Sequence, residues 1–194
     1  INDWRKKWGK DFPFYWVQLA NYMDAVEVPS ESLWAQVREA QTQTLSLSHT
    51  GQAVIIDIGE AKDIHPKNKQ EVGRRLALHA LHNDYGFSDV VCESPMPKTV
   101  RRVQDKIVVQ FDNVADGLIV KNKYGYLMSF AVAGNDGVYK WVQAKVAGKD
   151  RVVLSCPDVI DPVSVRYAWG DNPDDANLYN SVGLPATPFE IKIE

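Results

Sequence analysis

Apolar residues recur at helical spacing in two stretches of the first hundred positions, and at strand spacing through much of the rest. Leu33, Trp34, Val37 and Ala40 predict a helix over about 31–44, with Ser30 as its N-cap. Val72, Leu76, Ala80 and Leu81 predict a second helix, opened by His65 or Pro66 and stopped by Gly86. The bulky run Phe14–Leu19 and the β-branched run Ala53–Asp57 read as short strands covered on both faces, as in a parallel sheet. Ile1–Trp8, closed by Gly9, reads as a helix with glycine at the left-handed C′ position, and 21–29 as a polar loop. Two strands alternating with two helices make half of a βαβ layer, and two parallel strands do not form a stable sheet alone. The expectation is therefore a larger α/β domain, completed by sequence lying outside this chain on its amino-terminal side.

Beyond Pro95-Met96-Pro97 the helical period disappears, and short β-rich runs alternate with turn signals such as Asn135-Asp136-Gly137 and Gly148-Lys149-Asp150. The predicted strands are Ile107–Phe111, Gly117–Val120, Tyr126–Val132, Tyr139–Val146 and Arg151–Ser155, an antiparallel module. From Asp171 the chain is rich in Pro, Asn and Asp and reads as an extended tail over the surface. The resulting division is 1–97 and 98–194.

Composition narrows the function classes. Hydrophobic residues make up 45% of the 194, enough for a packed core. The formal net charge of -3 argues against a nucleic-acid partner. No apolar run approaches the roughly 20 residues that span a bilayer. Cys92 and Cys156 lack CxxC spacing and neighbouring histidines, which argues against zinc and leaves them free or bridged. Nothing in the pattern calls for a metal or an organic cofactor.

The residue with the clearest chemistry is His65. It follows an apolar strand and precedes a long helix, at the sheet edge where ligands gather in open α/β folds. An imidazole titrates near neutral pH and suits a general base, while the alternative is that it only caps the helix. Asp63 stands two residues before it and can orient the ring, with Glu60, Asp57 or a main-chain carbonyl as alternatives. His79 and His82 share a helix face at i, i+3 but have no Glu- or Cys-rich partner motif, so a solvated or packed helix face is expected. His49 reads as a surface residue. Trp16, Trp34, Trp141 and Trp169 are candidates for stacking on a sugar, although their apolar surroundings favour core packing. No nucleophile accompanies His65.

Several blocks in order carry a family resemblance: Asp3-Trp4-Arg5, Phe12–Ala20, Arg38-Glu39-Ala40-Gln41, Thr50–Val54, Asp57-Ile58-Gly59-Glu60 and Ile64-His65-Pro66. Val165–Trp169, Asn172-Pro173, Asn177–Asn180 and Gly183–Ala186 complete it. This pattern resembles the sialate O-acetylesterases of the SGNH hydrolase superfamily. The resemblance implies the carboxyl-terminal part of a three-layer SGNH-type parallel-sheet domain, followed by an antiparallel, sandwich-like β module. It implies a serine ester hydrolase that removes O-acetyl groups from sialic acid or a similar sugar, with His65 as base and Asp63 as its partner. Superfamily members place the acid three residues before the histidine, and Lys62 occupies that position here. The family's Gly-Gln-Ser nucleophile block is absent; Gly51-Gln52-Ala53 has alanine where serine is needed. Serine and oxyanion hole are thus expected from an amino-terminal chain or segment of the same gene product. The resemblance also suggests a secreted or periplasmic location, lysosomal in a eukaryote. Two alternatives stay open: an acetylxylan-type polysaccharide esterase, and a non-catalytic β-sandwich fragment.

Overall fold

The computed structural model describes residues 1–194, a mixed α/β chain with three α-helices, one short 3-10 helix (Thr44–Ser46) and twelve strands. Its first part runs α1 (Asn2–Trp8), β1 (Phe14–Val17), α2 (Leu33–Gln43), β2 (Thr50–Ala53) and α3 (Lys69–Asn83). Gly9 ends α1 in the left-handed conformation at φ 62°, as the sequence predicts. β1 and β2 pair in parallel, Phe14 opposite Thr50 through Val17 opposite Ala53, and neither has a second strand neighbour.

The second part comprises β3 (Met96–Val103), β4 (Lys106–Asp112), β5 (Leu118–Val120), β6 (Phe130–Ala133), β7 (Tyr139–Trp141), β8 (Gln143–Ala147), β9 (Arg151–Ser155), β10 (Ser164–Tyr167), β11 (Leu178–Asn180) and β12 (Phe189–Lys192). They form antiparallel sheets in the orders β3-β4-β9-β8 and β12-β10-β6-β7, with β11-β5 as a separate pair. Period-two burial is plain in β4, where Ile107, Val109 and Phe111 point into the core. The two four-stranded sheets share that core: Val152 and Leu154 meet Phe130, Val132, Val165 and Tyr167 in one cluster, and the Phe111 ring lies 6.0 Å from Phe189. Val54 and Ile56, just past β2, belong to the same cluster.

Several boundaries differ from the sequence expectation, each for a local reason. The cap of α2 is Ser32, not Ser30, because the Ser32 hydroxyl accepts from the Ala35 N–H at 2.9 Å. The run 53–57 is not the strand; β2 ends at Ala53, where β1 stops supplying a ladder partner. α3 starts at Lys69 rather than at His65 or Pro66, capped by Asn68, whose side chain accepts from Glu71 N–H at 3.1 Å. The expected strand 139–146 is two strands in different sheets, with Val142 between them. The segment after Asp171 is not a surface tail: Leu178, Asn180, Leu184 and Ala186 are fully buried, and β11 and β12 lie within it.

Candidate active site

His65 lies on the loop between β2 and α3, and the structure explains how that loop is held. Val54, Ile55 and Ile56 anchor its start in the interior. Asp57 then meets Arg75 of α3 through both carboxylate oxygens, at 2.6 and 2.9 Å, and accepts from the Tyr179 hydroxyl at 3.2 Å. The same guanidinium donates to the Val54 carbonyl and to Glu71. Hydrogen bonds from Arg74, and from Arg75 beside it, hold the Glu71 carboxyl down at about 2. The turn at Gly59 is fixed by its N–H donating to the Asn21 side chain at 2.7 Å. Asn21 in turn donates to Asn172, which donates to the Met23 carbonyl. A Cβ at position 59 would sit 2.3 Å from the Asn21 carbonyl oxygen, so the close approach requires glycine.

At the tip of the loop, one Asp63 carboxylate oxygen accepts from the His65 backbone N–H at 2.9 Å and lies 3.3 Å from Nδ1 of the same histidine. This Asx turn sets the ring against the carboxylate. The backbone bond, joined by the ring itself, lowers the Asp63 pKa from its ordinary value. The His65 side chain is 82% exposed, so Nε2 has room for a reacting group. Glu60 pairs with Lys67 at 2.6 Å, which raises the Lys67 pKa. Of the three acidic candidates, Asp57 and Glu60 are thus committed to cations, and Asp63 is the one beside His65. The helix cap is Asn68, so the purely capping alternative for His65 does not hold.

The other histidines are engaged elsewhere. His79 is buried, bonds the Gln52 carbonyl through Nε2 at 3.0 Å and stacks on Tyr15; burial lowers its pKa. His82 contacts the Val90 carbonyl through Nδ1, and exposed His49 pairs with Asp11. Cys92 and Cys156 are buried free thiols, and burial pushes Cys92 up to about 11. Of the tryptophans named as sugar candidates, Trp169 is buried while Trp141 is 42% exposed. No helix is long and apolar enough to cross a membrane. Sequence reasoning missed the Asn21–Asn172 clamp and the Arg75–Asp57 pair. Only Asp57 and Asn172 fall in the blocks quoted above; Asn21 and Arg75 do not, and the partners lie 151 and 18 positions apart.

Comparison with known proteins supplies the context. Curated sialate O-acetylesterases from Mus musculus and Homo sapiens are 28% and 27% identical, over 100% and 97% of this chain. The crystal structure of a carbohydrate acetylesterase from Xanthomonas citri superposes with a TM-score of 0.90 at 43% identity over 98% of the chain. This chain is similar to the sialate O-acetylesterases over its whole length. It spans about 40% of the length of those curated relatives and 44% of the solved acetylesterase. No family model matches it.

Proposed function

We propose that this chain is the carboxyl-terminal part of an esterase that removes acetyl groups from a sugar, with His65 as general base and Asp63 as its acidic partner. The observation that carries the reading is the Asp63–His65 pair, held on a clamped loop with Nε2 turned away from the carboxylate partner. In the reaction, Nε2 takes the proton of a serine hydroxyl supplied by another segment of the whole protein. The serine oxygen bonds to the acetyl carbon. Collapse of the tetrahedral species breaks the bond to the sugar oxygen, which leaves with the proton returned by His65. Water, deprotonated by the same Nε2, then releases acetate and restores the serine. Asp63 stabilises the imidazolium that forms in each half.

The domain arrangement belongs to the same proposal. Residues 1–97 form part of a three-layer SGNH-type domain in which β1 and β2 are joined by further parallel strands, and 98–194 form the accessory β module. The unpartnered parallel pair and the 40–44% span of the relatives support this. A secreted, periplasmic or lysosomal location would suit a sugar acetylesterase. An esterase acting on an acetylated carbohydrate other than sialic acid, such as a polysaccharide, is the second reading; the 43% identity to a carbohydrate acetylesterase from Xanthomonas citri is compatible with either.

The test is p-nitrophenyl acetate turnover by the intact protein before and after His65→Ala, with intact-mass detection of the acetylated enzyme. Turnover should fall about a thousandfold or more, in line with removing a triad member. Unchanged turnover would remove His65 from the mechanism.

A further inference from the structure

A cavity of about 310 Å³ lies where the 21–29 loop meets the β sheets, on residues that the Asp63–His65 chemistry does not use. Its walls include two indoles, Trp141 and Trp169, with Phe130 behind them. The Trp141 ring is fixed by its Nε1–H, which donates to the Glu27 carbonyl at 2.9 Å, and it stays 42% exposed. Trp169 is only 6% exposed, and its indole N–H finds no acceptor in the protein. A buried donor without a partner is rare in native structures. Asp174, Asp175 and Asn172 add carboxylate and amide groups, and Ser129 donates to Asp175.

The cavity opens past Met128 and Trp141 into a groove of about 820 Å³. Two exposed tyrosines, Tyr124 and Tyr126, lie in that groove with ring centroids 6.0 Å apart. Exposed aromatic faces interleaved with carboxylates and amides match the chemistry of a sugar ring, which offers an apolar C–H face and a rim of hydroxyl donors. Charge decides which sugar. The inner cavity is lined by Glu27, Asp174 and Asp175 and by no Lys, Arg or His, so a carboxylated sugar seated there would meet three like charges, whereas the outer groove carries Lys145 and, over the Tyr124 ring, Lys123.

We infer that this cavity and groove form a glycan-binding site, separate from the Asp63–His65 pair, that takes a neutral oligosaccharide and rejects an acidic one. The 21–29 loop links the two places: Met23 N–H donates to the Ala61 carbonyl of the His65 loop, while Glu27 holds Trp141. A neutral chain seated there would favour an acetylated neutral polysaccharide over a sialoglycan as substrate, a consequence that rests on the esterase reading.

Tryptophan-fluorescence titration of the intact protein with xylotetraose, cellotetraose and 3′-sialyllactose tests the site without requiring hydrolysis. A saturable change with at least one neutral tetraose, and at least tenfold weaker binding of 3′-sialyllactose, is the expected result. Trp141→Ala should weaken the tetraose tenfold or more. Tyr126→Ala, at an exposed position that does not bear on folding, should weaken it severalfold. Silence with both tetraoses, equal or tighter binding of 3′-sialyllactose, or unchanged tetraose affinity in both variants would overturn the inference. Because binding is read directly, loss of esterase activity in His65→Ala would leave this result standing, and an empty cavity would leave the esterase reading standing.

Discussion

At the scale of single residues, the candidate site divides into the Asp63–His65 pair and the groups that hold its loop in place. Asp63 does two things with one oxygen: it closes the turn through the His65 N–H and it faces the imidazole. Asp63→Asn keeps an acceptor for the turn but removes the charge that stabilises imidazolium. On the proposed mechanism, kcat should fall about tenfold to a hundredfold with KM and thermal midpoint little changed; steady-state kinetics with a thermal melt would check this, and undiminished kcat would return Asp63 to a purely structural role. His79 gives a prediction of the opposite kind, stability without catalysis. Its folded pKa lies below its ordinary value because burial disfavours the cation. The unfolded chain therefore binds more protons as pH falls through the ordinary range near 6.5, so this contribution to stability is whole above that pH and is lost progressively below it. Urea midpoints measured at pH 7.5 and 5.0 should differ more for the native protein than for His79→Phe, which keeps the ring stacked on Tyr15. The adjacency of Asp63 and His65 was legible in the sequence, because it is local. The residues that fix their loop were not, because Asn21, Arg75 and Asn172 reach it across the fold.

At the scale of elements, alternation made the antiparallel strands readable where one face is buried and the other wet. Arg151–Ser155 was predicted with its observed ends, and Ile107–Phe111 lies within Lys106–Asp112. The failures have a common cause. β3 begins at Met96, between two prolines that read as the boundary of the two parts, and β11 lies among asparagines that read as an extended surface tail. In the structure those asparagines serve the core: Asn180 accepts from Leu184 N–H and donates to the Glu93 and Asn113 carbonyls, while Asn177 accepts from Met128 N–H. Side-chain amides replace the missing ladder bonds, so polar sequence folds inward. Arg38 does the same for α2. It is fully buried, donates to the carbonyls of Leu19, Ala20, Gly170 and Asp171, and has its pKa brought down to about 10 by burial, so it stays charged at neutral pH. Arg38→Met would leave the Leu19 and Gly170 carbonyls without a donor, while the Ala20 carbonyl keeps Trp34 and the Asp171 carbonyl keeps Tyr22, and should destabilise by about 3–5 kcal/mol, read as a shift in the urea midpoint. A loss within the error of the measurement would mean that the helix is held by packing alone.

At the scale of the whole molecule, the antiparallel sheets share one buried core, to which Val54 and Ile56 add, whereas β1 and β2 stand as a parallel pair with no further strand. Parallel sheets are stable when both faces are covered and several strands share the layer, so this arrangement asks for more protein. The surface of α2 points the same way. Leu33 and Val37 are spaced i, i+4 on one face of the helix, yet are 79% and 47% exposed. An amphipathic stripe left in water is the mark of a face meant for a neighbour. If the remaining segments of the proposed esterase cover it, Leu33→Asp should act differently in two settings. In the chain 1–194 it replaces an exposed side chain, where substitutions change stability by less than about 0.5 kcal/mol. In the intact protein it would place a carboxylate against apolar surface and should cost about 2–4 kcal/mol, with reduced esterase activity from displaced β1 and β2. Parallel urea melts of the variant in both forms measure the difference, with the melt of 1–194 also showing whether that chain folds by itself. Equal and small effects in the two would mean that α2 faces solvent in the intact protein, and that any strands joining β1 and β2 approach from elsewhere.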